Sequence, residues 1–148
     1  MDAHAHLRTD RAPQDVVELV GDLAAYPAWM RLVHVVEGLP PDDRGPAWRV
    51  ELRARLGPFA RSKRLRMVRT VHEPRGRTVF ERIEDDGRVH AAWVLTLTVS
   101  GEDESGPTDL EVHLHYGGSL WTGGVLERVL SDEVERGRDR LLSLLQQR

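Results

Sequence analysis

From Trp48 to Tyr116 the chain keeps returning to one pattern, apolar residues at every second position, interrupted by turn residues and then resumed. Trp48, Val50, Leu52, Ala54 and Leu56 alternate with Arg49, Glu51, Arg53 and Arg55. Successive side chains of a strand point to opposite faces, so this spacing predicts a half-buried strand. Gly57-Pro58 turns the chain, Leu65, Met67 and Val71 mark the next strand, and Pro74-Arg75-Gly76 turns it again. Val79 to Glu84 reads as a third strand, ended by the hairpin signal Asp85-Asp86-Gly87. Trp93, Leu95, Leu97 and Val99 alternate with Val94, Thr96 and Thr98, an acidic loop follows, and Leu110, Val112, Leu114 and Tyr116 form the last strand. A meander of this kind leaves one apolar sheet face that another element must cover.

The cover is legible at the C-terminus. Leu126, Leu130, Val134, Gly137, Leu141 and Leu144/Leu145 recur at three- and four-residue spacing with Arg, Asp and Glu between them, which predicts an amphipathic helix over roughly Thr122 to Leu145. Gly137 costs about 1 kcal/mol against Ala inside a helix; its place on the stripe suggests close approach to the sheet. At the other end, His4 to Thr9 is a strand candidate and Pro13 occupies a helix N1 position, with Val16, Val17, Leu19 and Val20 in helical rhythm. Gly21-Asp22 interrupts that helix, Leu23 to Met30 reads as a second short one, Val33 to Leu39 as a strand and Pro40 to Pro46 as a loop. The whole is α+β, read as one domain over residues 1–148, a length that can bury a core without cross-links.

Pro13 to Asp22, the stretch Asp22-Leu-Ala-Ala-Tyr26-Pro27-Ala-Trp29, the meander and the long last helix together resemble the START-like, polyketide-cyclase-like (SRPBCC, Bet v 1-like) superfamily over essentially the whole chain. The resemblance implies the helix-grip fold, a curved antiparallel sheet wrapped around the C-terminal helix with two short helices after the first strand. It also implies an apolar cavity for a hydrophobic molecule such as a lipid, a quinone or an aromatic polyketide. Some members are cyclases or aromatases and others only bind or carry. One fold hosts many functions, so the fold alone does not choose between them.

Composition narrows the classes. No stretch reaches the roughly 18 apolar residues of a membrane span, and Met1 to His6 has neither a basic region nor an apolar one of the signal-peptide type. The chain has no cysteine, hence no disulfide, thiolate metal site or Cys nucleophile, and a cytoplasmic protein is expected. Twenty of the 21 basic residues are Arg, Lys63 being the exception. From Arg44 to Arg82 there are twelve basic and three acidic residues, +9, while the remainder carries nine basic and 21 acidic, −12. Such polarity can steer an anionic partner.

Hairpin turns let faces be assigned. Turns at Gly57–Ala60, Pro74–Arg77 and Asp86-Gly87 suggest Leu52 opposite Leu65, Val50 opposite Met67, Trp48 opposite Arg69, Val71 opposite Phe80, Arg69 opposite Arg82, and Phe80 opposite Trp93. The last pair of strands sets Trp93 beside Tyr116 and Leu95 beside Leu114. Every pairing puts apolar residues on one face, as a buried face demands. On it, Trp48, Met67, Arg69, Phe80, Arg82, Trp93 and Tyr116 are the candidate ligand-binding residues. Two guanidinium groups on an apolar face need acceptors, because an isolated buried charge is very costly. The acceptor is either internal, Glu84 or a helix carboxylate such as Asp132 or Glu133, or an anionic oxygen of the ligand. In an enzyme reading, a cyclase or dehydratase, the two Arg would stabilise an enolate and Tyr116 would shuttle a proton.

Other signals are weaker. His113 and His115 share a strand face with Glu111, which falls on the solvent side together with His72 and His90, so no metal site is expected. Ser119 before Trp121 reads as a helix-entry residue, Trp29 and Trp121 as core or cavity-lid residues. Gly117-Gly118 and Gly123-Gly124 lack the strand-to-helix context of a nucleotide loop, and no cofactor is expected. Arg53, Arg55, Arg64 and Arg66 cluster on the outer face near Gly57-Pro58-Phe59. Such a cluster is a solvated basic face or a contact to an anionic membrane with Phe59 inserted; for want of interleaved aromatics or a recognised module, no nucleic-acid partner is expected. The same face carries Val68, Val79, Ile83, Ala92 and Val94, an apolar patch of the kind that serves a homodimer.

Overall fold

The structure is a computed structural model that describes residues 1–118 and 125–148. In chain order it comprises β1 (Asp2–Thr9), α1 (Pro13–Val20), a 3-10 helix (Leu23–Ala28), β2 (Val33–Asp42), β3 (Gly45–Leu56), β4 (Phe59–His72), β5 (Arg77–Arg82), β6 (Trp93–Gly101), β7 (Thr108–Tyr116) and α2 (Val125–Gln146). The strands form one antiparallel sheet in the order β1-β7-β6-β5-β4-β3-β2. This is the helix-grip arrangement, with α2 and the two short helices on the concave face. The expected helix start at Thr122, and the readings of Ser119, Trp121 and Gly123-Gly124, lie outside the described residues.

Local chemistry places the short helices. Ala12 is extended and Pro13 begins α1, where its missing N–H costs nothing. The Gly21 N–H closes α1 on the Val17 carbonyl at 2.8 Å. Asp22 then caps the 3-10 helix by accepting the Ala24 N–H at 2.9 Å. The buried Tyr26 hydroxyl donates to the Val20 carbonyl at 2.7 Å, tying the two short helices together.

Leu130, Val134, Leu141 and Leu145 of α2 are buried, and Val134 and Leu141 share a void with Leu7, Trp29 and Val112. Gly137 does serve a close approach, but to the end of the 3-10 helix and not to the sheet. A Cβ there would stand 3.1 Å from the Trp29 carbonyl oxygen and 3.4 Å from its ring.

The proline-rich loop expected over residues 40–46 is instead strand and tight turn. β2 runs through Pro40-Pro41 to Asp42, which pairs with Gly45. β2 is an edge strand, where a residue without an N–H is tolerated. Gly45, at φ 153°, must be glycine, because a Cβ would overlap the Arg69 carbonyl.

Faces follow the expected alternation, whereas three of the four registers differ from it. β6 and β7 pair as expected, Trp93 with Tyr116 and Leu95 with Leu114. β3 and β4 are offset by two residues, so Val50 meets Leu65, Trp48 meets Met67 and Leu52 meets Lys63. The turn there is shorter, with Leu56 pairing directly to Phe59. On β5, Phe80 meets Leu95 and not Trp93, and Arg69 meets Phe80 while Arg82 meets Met67. Asp86-Gly87 does not close a tight hairpin, since β5 ends at Arg82 and β6 begins at Trp93. A shift of two keeps each side chain on its face, so the core survives it.

An irregularity between Arg69 and Val71 does swap faces. Beyond it Val71 pairs with Val79 on the convex side, against the expected place opposite Phe80, and His72 pairs with Thr78 on the concave side, against the expected outward one. An extra residue in one strand has this effect on all that follow it.

On the convex face, Ala47, Val68 and Val79 are buried apart from the main core. Val68 and Val79 are therefore covered within the chain, which leaves little of the apolar patch expected there. Arg66, expected in the exposed basic cluster, is also buried. Its guanidinium donates to the Ile83 carbonyl at 2.7 Å and to Asp42 at 3.1 Å.

Candidate functional site

Between the concave face and the cap formed by the short helices lies an apolar cavity. Val50 and Leu52 of β3, Leu65 and Met67 of β4, Trp93 and Leu95 of β6, and Leu114 of β7 make its wall. Leu23, Met30, Leu32 and Val33 close it. These four were not among the sequence candidates; Leu23 opens the Tyr-Pro-x-Trp stretch and the other three follow it. The cavity holds about 40 Å³, little more than one water's share of the liquid and far below the roughly 300–1,000 Å³ of ordinary ligand pockets. An occupant would have to part the cap from the wall.

Among the described residues, no ionisable group is in that lining. Trp93 is its one residue with a conventional hydrogen-bonding side-chain group; the indole N–H is buried, has no partner among the described residues and presents no surface to the cavity. A buried donor left unpaired costs about 1–3 kcal/mol.

Of the seven candidates, Met67 and Trp93 line the cavity. Phe80 and Tyr116 lie in the core beside it, and Trp48 packs half-buried against that core. The Trp48 and Phe80 rings meet edge to face at 5.7 Å, and those of Trp93 and Tyr116 are 4.5 Å apart.

Arg69 and Arg82 share the concave side without standing directly opposite one another, and each has an acceptor within the chain. Arg82 Nε donates to Glu84 at 3.1 Å, with both side chains nearly excluded from water, and its Nη1 reaches the Ala91 carbonyl at 3.4 Å. Glu84 also accepts the Arg66 backbone N–H at 3.0 Å and stands 3.8 Å from Arg49. Lys63 adds a cation nearby, and burial, then repulsion from Arg82, lower its ammonium pKa. Arg69 Nη1 donates to the Gly21 carbonyl at 2.7 Å, at the end of α1 where a cation is favoured. Its Nε is buried without a partner among the described residues, and burial pulls its pKa down. Glu133 is not the acceptor for either Arg; it lies 3.6 Å from Arg136.

His113 and His115 face outward as expected, both hydrogen-bonded to Asp2, whose carboxyl they hold at a pKa of about 2. No cluster fit to hold a metal ion occurs among the described residues.

A family model described as polyketide cyclase / dehydrase and lipid transport matches residues 4–146. The chain belongs to that family. Solved structures carry the same fold at low identity. A START superfamily protein of Mycobacterium smegmatis superposes with a TM-score of 0.75 at 15% identity, covering 99% of this chain and 97% of its own. The Zhui aromatase/cyclase of Streptomyces sp. R1128 gives 0.72 at 14%, covering 100% and 94%. A Thermus thermophilus protein gives 0.72 at 15%, covering 99% and 97%. Comparison with curated proteins by sequence finds no match. At these identities the structural likeness speaks for the fold.

Proposed function

We propose that this family member binds a largely apolar small molecule, a lipid, quinone or aromatic polyketide-like compound, between the concave sheet face and its helical cap, without turning it over. The observation that carries this reading is the cavity lining, whose surface is apolar throughout. The unpaired Trp93 N–H lies beside the cavity, and an occupant that parts the cap from the wall and carries one neutral acceptor, such as a quinone or ester carbonyl, would give it a partner. Arg69 and Arg82 spend their strongest hydrogen bonds on Gly21 and Glu84, so an anionic ligand has less to gain there. A cyclase needs a group in the cavity that moves a proton, and the described residues of the lining offer none.

Native mass spectrometry of protein purified from its own host, followed by titration with a quinone and a matched hydrocarbon, tests the reading. Val50→Trp should fill the cavity and abolish binding while the chain still melts cooperatively. Trp93→Phe should weaken the quinone about three- to tenfold and leave the hydrocarbon unchanged. Binding that survives Val50→Trp would place the ligand elsewhere and end the proposal.

A further inference from the structure

The strongest feature that the cavity does not use is the distal end of the β3–β4 hairpin. Residues 53–64 carry five cations, Arg53, Arg55, Arg61, Lys63 and Arg64, and no acidic residue, in a chain of net charge −3. Residues 57–64 are exposed without interruption, so both faces of β4 are in solvent there. From the Arg53–Ser62 pair to the Leu56–Phe59 pair the hairpin advances by three residues, roughly 10 Å at strand rise. At its apex, beside Pro58, the Phe59 side chain is 67% exposed. Among the described residues, Arg53, Arg55 and Arg64 have no ion-pair partner.

An arm of this length, with an aromatic tip and cations behind it on both faces, matches the interfacial zone of a bilayer. Apolar groups sink roughly 5–10 Å there, and basic side chains meet the lipid headgroups. A nucleic-acid strand would be tracked by cations along one groove with interleaved aromatics; here the cations ring a single apolar apex. The same two strands continue inward as cavity wall, through Leu52 and Leu65.

We propose that the β3–β4 hairpin docks the protein on an anionic lipid surface, Phe59 entering the interface and the flanking cations contacting headgroups. This rests on the exposure and charge of the hairpin and not on the cavity reading, and the test separates the two. Sedimentation with phosphatidylcholine vesicles, with and without phosphatidylglycerol, at low and high salt, measures the docking directly. Free glycerophosphate is the competitor that distinguishes a lipid surface from a lone phosphate.

Binding should require phosphatidylglycerol, weaken with salt and resist glycerophosphate. The triple variant Arg53→Gln/Arg55→Gln/Arg64→Gln should lose about 100-fold, at roughly fivefold per charge, and Phe59→Ser about tenfold. Arg138→Gln, an exposed cation of α2, and Val50→Trp in the cavity should bind vesicles as the parent does. All these hairpin positions are exposed, and thermal melting verifies that the variants fold. Equal binding to neutral and anionic vesicles, no effect of Phe59→Ser, or competition by glycerophosphate at the concentration of lipid phosphate would overturn the proposal. So would binding to duplex DNA, but not vesicles, that the triple variant abolishes.

Discussion

The two halves of the sheet are built from the same alternation, yet only one pairs in the register that alternation suggests. β6 and β7 are nine residues each, apolar at the inward positions apart from their Gly101–Thr108 end and aromatic together at the other. Sliding them by two would strand Trp93 or Tyr116 without its partner. β3 and β4 run to 12 and 14 residues, and a slide of two merely exchanges one apolar pair for another, Leu65 meeting Val50 in place of Leu52. A pleat fixes which face a residue takes, and only the turn or an irreplaceable pair fixes whom it meets. The consequence is chemical as well as geometric. The shifts set Lys63 opposite Leu52 and Arg69 opposite Phe80, so Arg69 and Arg82 do not face one another and bond separate acceptors, Gly21 and Glu84.

The contrast predicts unequal costs of truncation. Leu130→Ala and Leu141→Ala, at positions about 1% exposed under the sheet, should each lose about 2–5 kcal/mol by chemical denaturation. Phe59→Ala, at the hairpin tip, should lose less than about 0.5 kcal/mol. Comparable losses at the two places would erase the distinction between a packed half and a projecting one.

Next in size is the Arg82–Glu84 pair. Glu84→Ala strands a guanidinium whose side chain is only 7% exposed, and should cost about 2–3 kcal/mol. That is below the range for a fully dry pair, since Arg82 keeps the Ala91 carbonyl. The double variant Arg82→Met/Glu84→Met should recover most of the loss, because removing both charges removes the desolvation penalty with them. A double variant no better than the single would mean that Glu84 acts mainly through the Arg66 N–H.

The fold was legible because its signals are redundant. Pro13, the alternating strands and the α2 stripe each specify an element by local chemistry. The site was legible only in part. Met67 and Trp93 could be read from face assignment, but the lining contributed by Leu23, Met30, Leu32 and Val33 depends on how the cap docks across the sheet. Arg66 was read as exposed because its alternation is that of a solvent face. Nothing local announces that Asp42 and the Ile83 carbonyl, distant in sequence, converge on it. The face swap at His72 was hidden for the same reason, since an extra residue within a strand leaves no mark in the pattern of apolar residues.

Arg69 sharpens the comparison at the level of ligand choice. With Gly21 as its acceptor, Arg69→Met should destabilise the protein by about 1–2 kcal/mol, the worth of one charge-assisted hydrogen bond to a backbone carbonyl. Relative affinity for a carboxylic acid and its ester should not change, and the unpaired Nε limits the loss. If calorimetric titration instead shows the acid losing tenfold or more against the ester, with stability intact, Arg69 serves the ligand and the internal pairing is incidental.

The smallest effect concerns His72, which the strand irregularity carries to the concave rim beside Gly21. Its Nδ1 lies 3.1 Å from the Thr78 hydroxyl, and burial, then the nearby Arg69 charge, push its pKa below the ordinary value of 6.5. A depressed folded pKa has a definite sign. Above pH 6.5 the imidazole is neutral in both states and its contribution to stability is fully present. As pH falls, the unfolded chain takes up the proton first, and stability drains until the folded pKa is also passed. His72→Gln should therefore flatten the decline in Tm between about pH 7 and pH 5. Arg69→Met should flatten it in part, because it removes one of the two causes. Parallel melting curves of wild type and His72→Gln across that interval would show that the irregularity leaves His72 as free as an exposed histidine. The concave rim would then end before β4 does.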